Sequence, residues 1–116
     1  MKQNTPLDPK TVFGPTTQLM KYRKKEMVLG LHQAEQYIYY LISGAVCMQV
    51  ETLEGQLSVG FYTEGNYFSA YTSFLTQKQN PYSIQAIEDC ELAAIHYKDL
   101  QEAYQISAEH ERNGRL

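Results

Sequence analysis

The sequence predicts a mainly β fold, an antiparallel barrel or jelly roll with helices towards its end. Short apolar and aromatic segments recur at a spacing of roughly 8–12 residues, and turn residues separate them. The clearest segment is YIYYLI at residues 37–42, which is followed by the turn Ser43-Gly44. Its β-branched and aromatic side chains suit a strand. Helical spacing occurs within residues 71–75 and again after Lys98.

The predicted strands follow one another through short connections. They span residues 27–31, 37–42, 45–52, 57–62, 66–68, 82–87 and 90–96. Between the fifth and sixth of these, Tyr71, Phe74 and Leu75 lie at i, i+3 and i+4, which predicts one apolar face of a short helix. A second helix is predicted to begin at Lys98 and a final one near Ser107.

Composition indicates one ordinary globular domain. The chain has 116 residues, a net charge of −3 and an isoelectric point near 5.5, which argues against a nucleic-acid-binding surface. Its two cysteines, Cys47 and Cys90, form neither a disulfide framework nor a CxxC motif. No apolar segment approaches the roughly 20 residues of a membrane span, and no signal peptide follows Met1. We therefore expect a cytoplasmic protein without a membrane partner.

The chain divides into an arm and a domain. Residues 1–20 contain three prolines and little periodicity, which predicts an N-terminal arm. Residues 21–116 form the β-roll domain. Lys21 to Lys25 are the main basic cluster, and we expect a solvated strand edge there; binding of a phosphate or an acidic partner is the alternative.

Three segments together resemble a known family. They are KYRKKEMVLGLHQAEQYIYYLISGAVCM, EGNYFSAYTSFL and YSIQAIEDCELAAIHYKDLQEAY. In order and spacing they resemble the cyclic nucleotide-binding domain of Crp/Fnr-type (catabolite-activator-like) bacterial transcription regulators, over roughly residues 21–115. The resemblance implies a β-roll, also described as a double-stranded β-helix, in which a short cassette helix follows the turn at Glu64-Gly65.

The resemblance also implies where a cyclic nucleotide would bind. Family members hold the phosphate with one Arg and with a Gly-Glu pair at the start of the cassette helix. A gap-free comparison places Ser69 and Ala70 at the Gly-Glu pair, and Asn80 and Pro81 at the Arg and the residue after it. Each lost charge-assisted bond is worth roughly 1.5–3 kcal/mol, so losing two or three weakens binding by roughly 10²-fold to 10⁶-fold. We therefore expect cAMP and cGMP binding in the family's usual mode to be lost, unless a shifted loop brings Lys78 to the Arg position.

The cassette and its flanks supply the candidate ligand-binding residues. Their hydroxyl, amide and aromatic groups suit a neutral small molecule. The alternative is that the ten tyrosines fill a small core with their hydroxyls at its rim. The candidates are Phe61, Tyr67, Phe68, Ser69, Ala70, Tyr71, Thr72, Ser73, Asn80, Pro81, Tyr82 and Ser83.

Three functions follow from these observations. The first is a ligand-sensing domain of a transcription regulator, with a small-molecule effector and a homodimer as expected partners. In that case DNA would be bound through a helix-turn-helix beyond Leu116. The second is a free-standing interaction module. The third, a cupin-like metalloenzyme, is disfavoured because His32, His96 and His110 form no H-x-H pattern. We predict no enzyme activity, no metal and no cofactor.

Overall fold

The computed structural model describes residues 14–79 and 81–103. These residues contain eight strands in two four-stranded sheets, and every pairing is antiparallel. The strand orders are β1-β8-β3-β6 and β2-β7-β4-β5. The strands are β1 (Gln18–Tyr22), β2 (Met27–Leu29), β3 (Tyr37–Ser43), β4 (Ala45–Thr52), β5 (Gly55–Thr63), β6 (Tyr67–Phe68), β7 (Tyr82–Ala86) and β8 (Cys90–His96). The predicted jelly-roll class is confirmed.

Helices are short in the described part of the chain. A single 3₁₀ turn covers Gly14–Thr16, helix α1 covers Tyr71–Thr76, and residues 97–103 are helical. The helix predicted near Ser107 lies outside the described residues, as do residues 1–13 of the predicted arm. Strand β1 begins at Gln18, slightly before the predicted boundary at residue 20, and that boundary stays a prediction.

The core lies between the two sheets. Because side chains alternate along a strand, every second residue of the central strands points inward. Leu41 of β3, Val46 of β4, Ile84 of β7 and Leu92 of β8 are fully buried there. The complete cluster is Leu29, Tyr39, Leu41, Val46, Met48, Phe68, Ala70, Ile84, Ala86, Cys90, Leu92 and Ala94. Ala70, the residue before α1, therefore attaches the start of this helix to the core.

Helix α1 has the predicted helical spacing but buries a different face. Phe74 is 1% exposed, whereas Tyr71 and Leu75 are 59% and 52% exposed. The buried residues are instead Ala70, Ser73 and Phe74, which also lie at i, i+3 and i+4. The prediction that Tyr71 and Leu75 share the apolar face with Phe74 was wrong. The ring of Phe74 packs edge-on against Tyr97, with the ring centres 5.4 Å apart.

The basic cluster lies at the edge of one sheet. Strand β1 pairs with β8 alone among the described strands, and Lys21, Arg23, Lys24 and Lys25 are exposed. Lys21 lies on β1, and Arg23, Lys24 and Lys25 follow in the connection to β2. Their exposure agrees with the predicted solvated edge, and binding of a phosphate or an acidic partner stays a prediction. Lys25 has a positive φ of 81°, a region that disfavours residues with a Cβ, in the turn that joins β1 to β2.

Candidate functional site

A cleft of about 570 Å³ lies beside the connection between β2 and β3. Its volume falls within the roughly 300–1,000 Å³ of small-molecule sites. Residues 32–37 form much of its wall, and Gln79, in the loop after α1, adds a side chain from the cassette. The lining residues are Tyr22, Val28, Leu29, His32, Gln33, Ala34, Glu35, Gln36, Tyr37, Tyr39 and Gln79.

Glu35 is a buried carboxylate at this cleft, and its side chain binds several hydrogen-bond donors. The residue is 1% exposed. Its Oε1 accepts the N–H of Ala70 at 3.1 Å. Its Oε2 accepts the hydroxyl of Tyr39 at 2.8 Å and the N–H of Tyr37 at 3.4 Å. Because each of these partners donates, the surroundings fit the ionised carboxylate, which is an acceptor only.

The backbone of Glu35 is fastened to α1 as well. Its N–H donates to Ser73 Oγ at 2.9 Å, and its carbonyl accepts Nε2 of Gln77 at 2.9 Å. Ser73 Oγ in turn donates to the carbonyl of Lys78. Gln77 ends the helix in a left-handed conformation with φ 58°. We call these contacts of Glu35 with Ala70, Ser73 and Gln77 the Glu35 clamp, because they join the β2–β3 connection to both ends of α1.

The charge of Glu35 is poorly compensated. Burial raises the pKa of its carboxyl group, and this effect outweighs the hydrogen bonds from Ala70 and Tyr39, which lower the pKa. Among the described residues, no Lys or Arg forms an ion pair with Glu35. His32 Nε2 pairs instead with Glu51, at 3.4 Å. Burial also raises the pKa of Tyr22, with smaller contributions from Tyr37 and Glu35. The cleft is thus a shared environment of phenols around one carboxylate.

The raised pKa of Glu35 predicts a pH dependence of stability. A carboxyl whose pKa is higher in the folded state favours folding below its unfolded pKa, and that contribution is lost as the pH rises through the folded pKa. Relative to Glu35→Gln, the wild-type free energy of unfolding should therefore fall from about pH 4.5 upwards. Urea unfolding of both proteins at a series of pH values measures this difference, in which other titrating groups cancel. A difference that is flat, or that grows with pH, would contradict the prediction.

Several predicted ligand-binding residues are committed to internal contacts. Ser69 Oγ donates to the carbonyl of Tyr37 at 2.7 Å. Phe68 stacks between Tyr39 and Tyr62, with ring centres 4.9 and 5.3 Å apart. Ala70 and Ser73 belong to the Glu35 clamp. Ser83 is buried in β7. Ser69, Ala70 and Ser73 therefore hold the cassette to the β-roll.

The remaining candidates are dispersed. Phe61, Tyr67 and Tyr71 are 64%, 56% and 59% exposed. Thr72 and Pro81 are exposed, and Tyr82 is half-buried in β7. Asn80 lies outside the described residues. None of the eleven candidates within the described residues lines the cleft described above, and the ligand-binding role of all twelve stays a prediction.

The described ranges contain no group of three or more His, Cys, Asp or Glu side chains that could hold a metal ion. Within 14–79 and 81–103, no helix has both the length and the apolar character needed to cross a membrane.

A family model described as the cyclic nucleotide-binding domain matches residues 19–107. The chain belongs to this family. Among curated proteins, the chain is similar to the cAMP-activated global transcriptional regulator CRP of Pasteurella multocida. It is 26% identical over 88 residues, which is 75% of this chain and 42% of the relative. The chain therefore spans less than half the length of that curated relative.

Solved structures of regulators share the fold. The catabolite activator protein of Thermus thermophilus superposes with a TM-score of 0.72 at 21% identity, over 93% of this chain and 55% of that one. The c-di-GMP-responsive global regulator CLP of Xanthomonas campestris gives 0.70 at 23% identity, over 85% of this chain and 48% of that one. The resemblance to a Crp/Fnr-type cyclic nucleotide-binding domain is confirmed.

The sequence did not indicate the Glu35 clamp. Residues 32–36 are a polar, turn-like segment, and a Glu in such a segment is more often solvated. The hydrogen-bonded partners of Glu35 on α1 lie 35 to 42 residues away, beyond any local periodicity. A buried carboxylate beside the cassette of a cyclic nucleotide-binding domain is therefore a finding of the structure.

Proposed function

We propose that this chain is the effector-sensing domain of a Crp/Fnr-type transcription regulator, and that its cassette does not bind cAMP or cGMP through the phosphate. The observation that carries the proposal is the hydrogen bond from the Ala70 N–H to the Glu35 carboxylate. Ala70 lies at the Gly-Glu pair with which family members contact the nucleotide. The Ala70 amide, at this pair, already donates a hydrogen bond to a carboxylate of the protein itself.

Electrostatics favours this proposal. A phosphodiester next to the start of α1 would meet the carboxylate of Glu35, and two like charges about 4 Å apart repel by about 4 kcal/mol near a protein surface. The Arg and the Glu that would otherwise neutralise and orient the nucleotide are replaced by Asn80 and Ala70. Repulsion therefore adds to the missing attraction.

The regulatory assignment rests on the relatives. One is a regulator activated by cAMP and another responds to c-di-GMP, so regulators of this fold respond to different effectors. We infer that this chain binds an effector without catalysing a reaction. DNA contact and dimerisation would depend on segments beyond Leu116. Residues 1–20 would be an arm outside the sensing domain.

Calorimetric titration with cAMP and cGMP tests the proposal. We expect no saturable heat up to millimolar nucleotide, and no rise in melting temperature. A ligand at 100 times its Kd would add about 2.7 kcal/mol to the stability of the folded state, which is readily measured. The matched variant Glu35→Gln removes the repelling charge and should bind, if at all, more tightly than wild type. Saturable micromolar binding by the wild type would refute the proposal.

A further inference from the structure

We propose that the cleft beside Glu35 binds a small organic cation, a protonated amine attached to an apolar or aromatic body. This inference deepens the proposed function, on which it rests, because it names the class of effector and the place where it binds. It differs from the family's nucleotide site in the sign of the ligand charge and in the residues that line it.

The charge of the cleft favours a cation. Glu35 is 1% exposed, and buried charges in proteins are normally paired with an opposite charge. Its carboxylate accepts hydrogen bonds from the N–H groups of Tyr37 and Ala70 and from the hydroxyl of Tyr39, none of which carries a positive charge. Among residues 14–79 and 81–103, those that line the cleft include neither Lys nor Arg. A cation in the adjoining cleft would supply the counter-charge that these residues lack.

The aromatic wall of the cleft also favours a cation. Tyr22, Tyr37 and Tyr39 line the cleft, and the rings of Tyr37 and Tyr39 lie 5.9 Å apart at 36°. Tyrosine faces attract an organic ammonium group, and the attraction strengthens when the cation is desolvated. Val28 and Leu29 add apolar surface for the body of the ligand. Carboxylate, phenols and aliphatic side chains together favour an amphiphilic amine.

His32 lines the cleft and is a residue that could oppose a cation. Its imidazole is 64% exposed and lies 3.4 Å from the carboxylate of Glu51. A positive charge on His32 would therefore be balanced by Glu51. Gln33, Gln36 and Gln79 line the cleft and carry no charge, so they do not oppose a cation.

The experiment compares two probes of similar size and opposite charge. Phenethylamine and phenylacetate are titrated to millimolar concentration near neutral pH, and binding is followed by amide-resolved NMR. We expect saturable shifts with phenethylamine at residues 33–37 and at Gln79, and at least about tenfold weaker binding of phenylacetate. Equal binding of the two probes, shifts elsewhere, or no binding of phenethylamine would overturn the proposal.

Variants separate the charge from general structural effects. Glu35→Gln should weaken phenethylamine binding by about tenfold or more, whereas Glu54→Gln removes the same charge from the exposed β4–β5 turn and should bind as wild type. If Glu35→Gln does not fold, Tyr22→Leu keeps the carboxylate but removes one aromatic face, and several-fold weaker binding is expected. Unchanged affinity in the variant that folds would refute the site.

A third titration, with cAMP, keeps this inference apart from the proposed function. Binding of cAMP together with phenethylamine would refute the exclusion of nucleotides but not the cation site. If none of the three compounds binds, the cation site is overturned, while the exclusion of nucleotides stays supported.

Discussion

Replacing Phe74 with alanine is expected to destabilise the domain by about 3–5 kcal/mol, the usual cost of removing a buried aromatic ring. Phe74 is 1% exposed and packs edge-on against Tyr97. Its ring is the largest buried side chain of α1, so the loss also loosens the cassette helix. The melting temperature should fall by roughly 4 °C per kcal/mol in a domain of this size, which thermal unfolding followed by circular dichroism measures.

Leu75→Ala is the matched control. It changes the next residue of the same helix to the same small side chain, but Leu75 is 52% exposed. Exposed substitutions usually change stability by less than about 0.5 kcal/mol. If Leu75→Ala were as destabilising as Phe74→Ala, α1 would bury the face that the sequence pattern predicts rather than the face found in the structure.

This contrast shows where local pattern reasoning succeeds and fails. The helical spacing of α1 was predicted correctly, but the face predicted to be buried was wrong. Tyr71, Phe74 and Leu75 carry the strongest apolar signal, yet the buried residues are Ala70, Ser73 and Phe74. Ala70 and Ser73 are small side chains that allow α1 to lie close to the β2–β3 connection. This tertiary contact leaves no hydrophobic pattern in the sequence from which it could be predicted.

Strands were easier to predict than the helix. The bounds of β4 and β8 coincide with the predicted residues 45–52 and 90–96, since these segments run without interruption between turn residues. Gly44 makes the first of these turns at φ +93°, and a Cβ there would collide with the carbonyl of Asp89. Turn chemistry and strand propensity therefore agree along most of the β-roll.

The candidate site could be predicted only in part. Sequence resemblance located the cassette, and its placing of Ala70 and Asn80 at the family's Glu and Arg positions stays a prediction. It could not show that Glu35, from a separate loop, accepts a hydrogen bond from the Ala70 amide. The identity of a residue predicts its chemistry, but its burial depends on partners that are distant in the chain, and burial is what makes Glu35 unusual.

Glu35→Ala is the second substitution with a large expected effect. It removes the acceptors of the Ala70 N–H and the Tyr39 hydroxyl, both inside the protein. An unsatisfied buried polar group costs about 1–3 kcal/mol, and the relief of burying a charge offsets part of this. We expect a net loss of about 2–4 kcal/mol in the free energy of unfolding, measured with urea. Glu54→Ala, in the exposed β4–β5 turn, should change stability by less than about 0.5 kcal/mol.

The loss should be local before it is global. The Ala70 amide depends on Glu35 Oε1, whereas the amides of β4 pair with β5 and β7. Hydrogen exchange in Glu35→Ala should therefore accelerate first around residues 70–77, since weakly held segments open below the global unfolding energy. Unchanged protection of the Ala70 amide would mean that the β-roll itself holds the cassette. Selective loss of this protection would mean that the Glu35 carboxylate holds the cassette, at the position where family members contact a nucleotide.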